Sequence, residues 1–327
     1  MPGESGGSEY SLNRMPTIRS LAWLALLPAC SGRADAPVRA EFTEVHMGMP
    51  VRIVLYAPHD TIARAAARAA FARVASLEDK MSDFRAHSEV RRLGALAGDC
   101  MNVSVDLYAV LERAIELARL SGGAFDPTAG PVIELWRDAR RDDRTPPATA
   151  LDSARALVGW RMLRLGGDGA EACLARPGMR LDLGGIAKGY ILEEALGVLA
   201  DRGIASALVE AGGDIVVGAA PPGASGWRIA VPDADPALVA GARELAHAAI
   251  ATSGPTEQFV EIDGVRHSHV VDPRTGLALT RNVTATVIAS DGATADALAT
   301  TLTVLSREEG KRLLEHFPGA LAGVRRP

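Results

Sequence analysis

The chain has 327 residues, of which 48% are hydrophobic and 23% charged, so its composition excludes a disordered chain, a collagen and a coiled coil. The net charge of −5 argues against a protein that binds nucleic acid by neutralising its phosphates. Three cysteines are too few for a disulfide scaffold, and no apolar run is long enough to predict an ordinary transmembrane helix.

The first thirty residues have the pattern of an export signal. A cationic flank precedes a short apolar run that ends at Leu27-Pro-Ala-Cys30, as is typical of secretory signals. The end of this run resembles a bacterial lipobox, in which the cysteine is lipidated and becomes the new N-terminus. We therefore predict a signal peptide over residues 1–30, lipidation at Cys30, a tether over residues 31–40 and a folded domain over residues 41–327. A short buried helix is the alternative interpretation of the apolar run.

Helices and strands alternate along the rest of the chain. Apolar spacing predicts helices over residues 62–81, 105–120, 294–305 and 307–317, and strands within residues 41–56, 227–231 and 283–288. Residues 140–150, which are charged and contain two prolines, predict a loop or a subdomain junction. Residues 180–218 predict a strand, a glycine turn, a helix, a strand and a second glycine turn. We therefore predict an α/β or α+β fold, with mixed sheets and flanking helices.

The glycine-rich turn Asp182-Leu-Gly-Gly-Ile-Ala-Lys-Gly189 is the strongest local signal. Backbone N–H groups at a helix start favour an anion, and glycine lets a phosphate approach without a Cβ in the way. Lys188 is expected in the first helical turn, where its side chain is long enough to reach the same anion. The spacing matches neither a P-loop nor a Rossmann fingerprint. From these residues alone, a phosphate site and a closely packed turn remain equal alternatives.

Asp296 and Thr300 are four residues apart on a predicted helix and therefore share one face. A carboxylate and a hydroxyl are hard oxygen ligands, which suit Mg²⁺ better than zinc. The alternative is an acid that is merely favoured near the helix N-terminus.

His267-Ser-His269 precedes an Asp-Pro-x-Thr-Gly turn. His269 is a candidate general base near neutral pH. The His-x-His pair is also compatible with a transition metal, and a histidine satisfied by the turn is the third alternative. Upstream, Phe125-Asp126 lies in a sequence typical of a turn, although an aromatic ring beside a carboxylate also suits a flat polar ring.

Taken in chain order, these motifs resemble the ApbE family, the FAD:protein FMN transferases. The resemblance covers residues 41–317 and rests on Met47-Gly48, Met81–Phe84, Ser88–Val90, Phe125–Thr128, Asp182–Tyr190, Ala211–Asp214, Thr252–Gly254, His269–Gly276 and Ala295–Thr300. It implies an ApbE-type domain with a T-fold-like architecture of two intertwined subdomains. It also implies a Mg²⁺-dependent enzyme that splits FAD, joins FMN to a threonine of a partner protein and releases AMP. Such acceptors belong to membrane electron-transport complexes.

The resemblance also implies roles for particular residues. Mg²⁺ is held by Asp296, Thr300 and the backbone carbonyl of Gly185, while Lys188 and His269 are the catalytic residues. The residues that contact FAD are Met47, Phe84, Ala124, Phe125, Asp126, Asp182, Lys188 and His269. Two alternatives remain: an FAD pyrophosphatase that uses water as the acceptor, and a flavin-binding lipoprotein without catalysis. We expect an exported, lipid-anchored protein that faces the periplasm or the cell exterior, where Cys100 and Cys173 are free to pair, although nothing in the sequence indicates that they do.

Overall fold

A computed structural model describes residues 36–167, 170–231, 242–254 and 259–326. The predicted signal peptide, the lipidation site Cys30 and the first half of the tether, residues 31–35, lie outside these residues. In the part of the chain that the structure describes, no helix has both the length and the apolar character needed to cross a membrane.

The described residues form sixteen strands and eight α-helices. The strands are β1 (Val38–His46), β2 (Met49–Ala57), β3 (Cys100–Asn102), β4 (Leu163–Leu165), β5 (Glu171–Leu174), β6 (Ala207–Ala211), β7 (Asp214–Val217), β8 (Trp227–Ala230), β9 (Ala242–Leu245), β10 (Ala248–Ser253), β11 (Phe259–Ile262), β12 (Val265–Ser268), β13 (Val271–Asp272), β14 (Leu277–Ala278), β15 (Thr284–Ala289) and β16 (Leu321–Arg325). The helices are α1 (Asp60–Met81), α2 (Glu89–Ala95), α3 (Val105–Leu120), α4 (Gly130–Asp142), α5 (Ala148–Arg155), α6 (Ala187–Asp201), α7 (Gly292–Val304) and α8 (Arg307–Leu314).

A seven-stranded antiparallel sheet organises the fold, in the order β1-β2-β6-β7-β10-β15-β16. Successive buried residues of its strands face opposite sides, and one face packs against α1, α6 and α7 in the main hydrophobic core. The other face packs against the β8–β9 hairpin through Trp227 and Ile229. Since small residues line much of the helix-facing side, α6 and α7 approach the sheet and each other closely.

A second, smaller hydrophobic cluster lies apart from the main core. It is built from α4 and α5 together with β11, β13 and β14, and includes Val132, Trp136, Ile262 and Val271. Two separate segments of the chain therefore meet in it.

A three-stranded sheet of order β3-β5-β4 carries a disulfide between Cys100 and Cys173. The two cysteines stand opposite each other in the strand register, with Cα atoms 4.1 Å apart. The bond joins positions separated by 73 residues. It therefore closes a long loop and lowers the conformational entropy of the unfolded chain. The pairing that the sequence left open is present in the structure.

The predicted helices over residues 62–81, 105–120, 294–305 and 307–317 are confirmed as α1, α3, α7 and α8. The strand predicted within residues 41–56 is confirmed as β2; it forms a hairpin with β1, because Met47 and Gly48 adopt positive φ angles of 53° and 73° and turn the chain. Residues 143–147 form the predicted loop between the end of α4 and the start of α5. The glycine turn and the helix after it are confirmed, whereas the strand predicted before this turn is wrong, because residues 181–183 form no strand.

Two glycines set the closest approach between α6 and α7. A Cβ on Gly189 would lie 2.0 Å from the carbonyl oxygen of Gly292 and 2.9 Å from Cβ of Asp296. Gly189 is therefore needed for packing, because backbone atoms leave no space for a side chain there.

We expect Gly189→Ala to lower the free energy of unfolding by about 3 kcal/mol, since the clash involves backbone and forces the helices apart. Gly197→Ala is the matched control, because this glycine lies on the same helix and a Cβ there meets no atom within 4 Å. The control should raise stability by about 0.5–1 kcal/mol through helix propensity. Urea unfolding midpoints measure both, and equal midpoints for the two variants would contradict the packing role.

Candidate active site

The N-terminal ends of α6 and α7 meet at a buried acidic side chain. Asp296 of α7 is 5% exposed, and its Oδ2 accepts a hydrogen bond of 3.0 Å from the backbone N–H of Gly189. The side chain of Asp296 thus engages an N–H group in the first turn of α6, which has no partner within its own helix.

Thr300 lies one turn after Asp296 on α7, and Gly185 lies against its side chain. A Cβ on Gly185 would lie 3.0 Å from Cγ2 and 3.2 Å from Oγ1 of Thr300, so the glycine backbone faces the threonine side chain. Asp296 and Thr300 share a face of α7, as their spacing predicted. The structure therefore brings together the three residues that the sequence assigned to a metal.

Lys188 connects this corner to the central sheet. Its Nζ lies 2.9 Å from Oδ2 of Asp214, whose side chain is 3% exposed at the start of β7. The backbone N–H of Thr252 donates to the other Asp214 oxygen at 3.3 Å. The lysine in the first turn of α6 is thus ion-paired with a buried acid.

The charges around Lys188 favour a further cation. Burial raises the pKa of Asp214 to about 7, and the neighbouring Asp296 raises it as well, whereas Lys188 opposes the shift. Burial also raises the pKa of Asp296, again against the effect of Lys188. Two carboxylates with elevated pKa values share this lysine ammonium, so additional positive charge would favour their ionised forms. The oxygen donors of Asp296 and Thr300, together with a backbone carbonyl, suit Mg²⁺.

Asp182 begins the glycine-rich turn and is held on both oxygens. It accepts hydrogen bonds from the backbone N–H of Gly184 at 2.9 Å and from Nη2 of Arg137 at 2.7 Å. Burial raises the pKa of Asp182, and the Arg137 guanidinium counteracts this shift while Asp83 adds to it. Arg137 also donates to Asp83, so one arginine links two acids at the turn.

An open cleft of about 390 Å³ adjoins this group and is lined by Asp83, Phe84 and Arg137 among others. The Arg137 guanidinium lies 4.6 Å from the centre of the Phe84 ring, a cation–π contact. The Phe84 side chain is nevertheless exposed, at 78%. An exposed aromatic ring braced by an arginine offers a stacking surface for a flat ligand, although contact of Phe84 with FAD stays a prediction.

Residues 124–126 are largely engaged within the protein. Ala124 and Phe125 are 3% and 6% exposed and belong to the main core. Asp126 accepts from the backbone N–H and the hydroxyl of Thr128 at 2.8 and 2.6 Å, and from the backbone N–H of Trp160 at 2.9 Å. Burial raises its pKa against these hydrogen bonds. Their contact with FAD stays a prediction, and the Asp126 carboxylate serves the turn.

The remaining predicted residues lie in connecting segments. Met47 is half-buried in the β1–β2 turn and packs against the main core. His269 is half-buried between β12 and β13. His267, two residues earlier, stacks on Trp136 with ring centres 5.0 Å apart, and burial lowers its pKa. This stacking gives His267 a packing role, and the roles of Met47 and His269 stay predictions.

Asp214 and Arg137 were missed as site residues by the sequence interpretation. The sequence does contain a signal for Asp214. An acid that directly follows Gly212-Gly213, between two apolar segments, is expected at the end of a strand, where polar side chains of a site often lie. Arg137 lies in a charged helix of the kind that usually faces solvent, and only the fold brings it to Asp182.

The fold and the site together define a class: a mixed α/β protein with buried acids at a glycine-rich helix start. The model of the ApbE family matches residues 47–324, and this chain belongs to the ApbE family. The FAD:protein FMN transferase of Treponema pallidum (strain Nichols) is 34% identical over 312 residues, covering 89% of this chain and 85% of the relative. The protein of that name from Vibrio cholerae (classical Ogawa 395) is 35% identical over 245 residues, covering 73% of each chain.

Solved structures agree with this membership. The flavinyl transferase ApbE of Pseudomonas stutzeri, apo form, aligns with a TM-score of 0.75 at 30% identity, covering 88% of this chain and 90% of its own. The ApbE protein of Thermotoga maritima aligns with a TM-score of 0.78 at 30% identity, covering 88% and 97%. The predicted family and fold class are confirmed.

Proposed function

We propose that this chain is an FAD:protein FMN transferase that joins FMN to a threonine hydroxyl of an acceptor protein and releases AMP. The observation that carries the proposal is the meeting of Gly185, Asp296 and Thr300 beside Lys188 at the start of α6. Family membership and relatives named as FAD:protein FMN transferases support the same activity.

Asp296, Thr300 and the backbone carbonyl of Gly185 would hold the Mg²⁺ ion. Their oxygen donors, together with the negative charge of the Asp296 carboxylate, suit a hard divalent cation. Bound Mg²⁺ would neutralise negative charge on the pyrophosphate oxygens of FAD.

The other residues of the site bind and orient FAD. Lys188 lies in the first turn of α6 with its ammonium ion-paired to Asp214, and the positive end of the helix dipole also favours a phosphate there. The Phe84–Arg137 pair offers a flat surface for a ring of the substrate. The site would thereby bring the reacting phosphorus into line with the incoming hydroxyl.

His269 is proposed as the general base for the transfer. The threonine oxygen forms a bond to the phosphorus of the FMN half, and its proton passes to His269. The bond between that phosphorus and the bridging oxygen breaks, so AMP leaves with this oxygen. Because a threonine hydroxyl is a weak nucleophile, proton removal contributes substantially to the rate.

The acceptor distinguishes the transferase from an FAD pyrophosphatase. Incubation of the protein with FAD and Mg²⁺, with and without a threonine-containing acceptor, should give AMP only when the acceptor is present. AMP release at the same rate without acceptor would contradict the transferase and indicate water as the acceptor.

The protein is further proposed to be exported and anchored in a membrane by lipid at Cys30, where acceptor subunits of electron-transport complexes are available. The Cys100–Cys173 disulfide supports export, because disulfides persist in oxidising compartments. Cys30→Ser should abolish incorporation of labelled fatty acid and release the protein from the membrane fraction. Retained label in this variant would contradict lipidation at Cys30.

A further inference from the structure

Asp214 is a buried acid that the predicted catalytic and metal-binding residues leave unexplained. It lies at the start of β7, on the sheet face that packs against α6 and α7, as does Val216 two residues later. Its Oδ2 is 2.9 Å from Nζ of Lys188. A buried carboxylate without a partner destabilises the folded state, so the burial of Asp214 requires a compensating interaction.

The surroundings hold Asp214 in one place. Its Oδ1 accepts from the backbone N–H of Thr252 at 3.3 Å. Thr252 is itself tied to β15, because its hydroxyl lies 2.9 Å from the hydroxyl of Thr286. The Asp214 carboxylate is therefore held by β10, which is in turn joined to β15 through the two threonine hydroxyls.

The turn before Asp214 also packs close to Lys188. Gly212 has a φ of +54°, and a Cβ there would lie 2.8 Å from Sδ of Met49 and 3.9 Å from Nζ of Lys188. The lysine is thus bounded by the β6–β7 turn and ion-paired with the acid that follows this turn. Its side chain is 21% exposed, so the ammonium lies at the edge of the site rather than in bulk solvent.

We propose that Asp214 is a positioning residue, which holds the Lys188 ammonium at the start of α6 where the pyrophosphate of FAD binds. The inference rests on the proposed function, because it assigns Lys188 to this substrate. A lysine side chain has many conformers, and one fixed partner preorganises its charge for the transition state. Asp214 thus acts through Lys188 and makes no contact with the substrate.

A double-mutant cycle with Asp214→Asn and Lys188→Met tests this inference. Asparagine keeps the size of the side chain and an oxygen for the Thr252 N–H. We expect Asp214→Asn alone to lower kcat for AMP release about 10–100-fold, through lost orientation of Lys188. The FAD Kd, measured by flavin fluorescence without added Mg²⁺, should change less than about threefold, because the charge of Lys188 remains. In the Lys188→Met background, Asp214→Asn should cost less than about threefold in kcat.

Glu210→Gln is the matched control. Glu210 lies on the same β6–β7 hairpin and is also ion-paired, with Arg52, but it points to the opposite sheet face, like Leu208. This variant should retain the wild-type kcat. An unchanged kcat in Asp214→Asn would overturn the inference, as would an equal loss in both Lys188 backgrounds, which would mean that Asp214 acts without the lysine.

Lys188→Arg keeps the inference testable if Asp214→Asn fails to fold. Arginine retains the positive charge but changes the geometry of the pair. Positioning predicts a kcat about tenfold lower, with the FAD Kd retained; an unchanged kcat would overturn it. Because AMP release is followed with either the acceptor protein or water, a chain that uses only water would refute the proposed transferase and still test the role of Asp214.

Discussion

Replacement of Asp296 by asparagine is expected to lower Mg²⁺-dependent AMP release from FAD by about 10³-fold or more, because the charged oxygen that would bind the ion is lost. Asparagine retains a side-chain oxygen for the Gly189 N–H, which is bound at 3.0 Å in the wild type. The fold should therefore survive, and removal of a buried acid with an elevated pKa should not lower the unfolding midpoint. Steady-state AMP release across a Mg²⁺ titration measures the effect.

Asp291→Asn is the matched control for this variant. Asp291 caps the same helix by accepting from the backbone N–H of Thr294 at 2.9 Å, and asparagine caps helices equally well. Its turnover should equal that of the wild type. Full Mg²⁺-dependent turnover in Asp296→Asn would contradict the metal assignment.

Replacement of His269 by asparagine should lower kcat about 10²–10⁴-fold, because the threonine hydroxyl would lose its general base. The Kd for FAD should stay close to the wild-type value, since proton removal is needed only in the chemical step. Single-turnover transfer to the acceptor, with FAD binding measured separately, distinguishes the two effects.

His267→Asn is the comparison that separates a base from a His-x-His metal pair. His267 stacks on Trp136, so its loss should reduce stability and leave kcat largely unchanged. Equal loss of kcat in both histidine variants, restored by added transition metal, would contradict the general-base assignment.

Much of the helical layer could be predicted from the sequence. The apolar residues of α1 and α3 repeat with the helical period along the buried face. This pattern predicts where each of these two helices begins and ends to within a few residues. Helix α4 was missed because it is rich in arginine and aspartate, and its burial depends on Trp136 and Val132 meeting β13 and β14. The β1–β2 hairpin was missed because its turn rests on Met47, a residue that rarely adopts positive φ.

The site was predictable where its geometry is local. The i,i+4 spacing of Asp296 and Thr300 places both on one helix face without any knowledge of the fold. The ion pair of Lys188 with Asp214 and the hydrogen bond of Arg137 with Asp182 are different, because each joins residues far apart in the chain. No local pattern specifies such pairs, since tertiary packing decides them.

The most direct test of the central claim combines this protein, FAD, Mg²⁺ and an exported electron-transport subunit that carries the acceptor threonine. We predict that AMP and acceptor heavier by one FMN phosphoester appear in equal amounts, and that replacing the acceptor threonine by valine prevents both. AMP without modified acceptor, or tight FAD binding without AMP, would contradict the assignment of this chain as an FMN transferase.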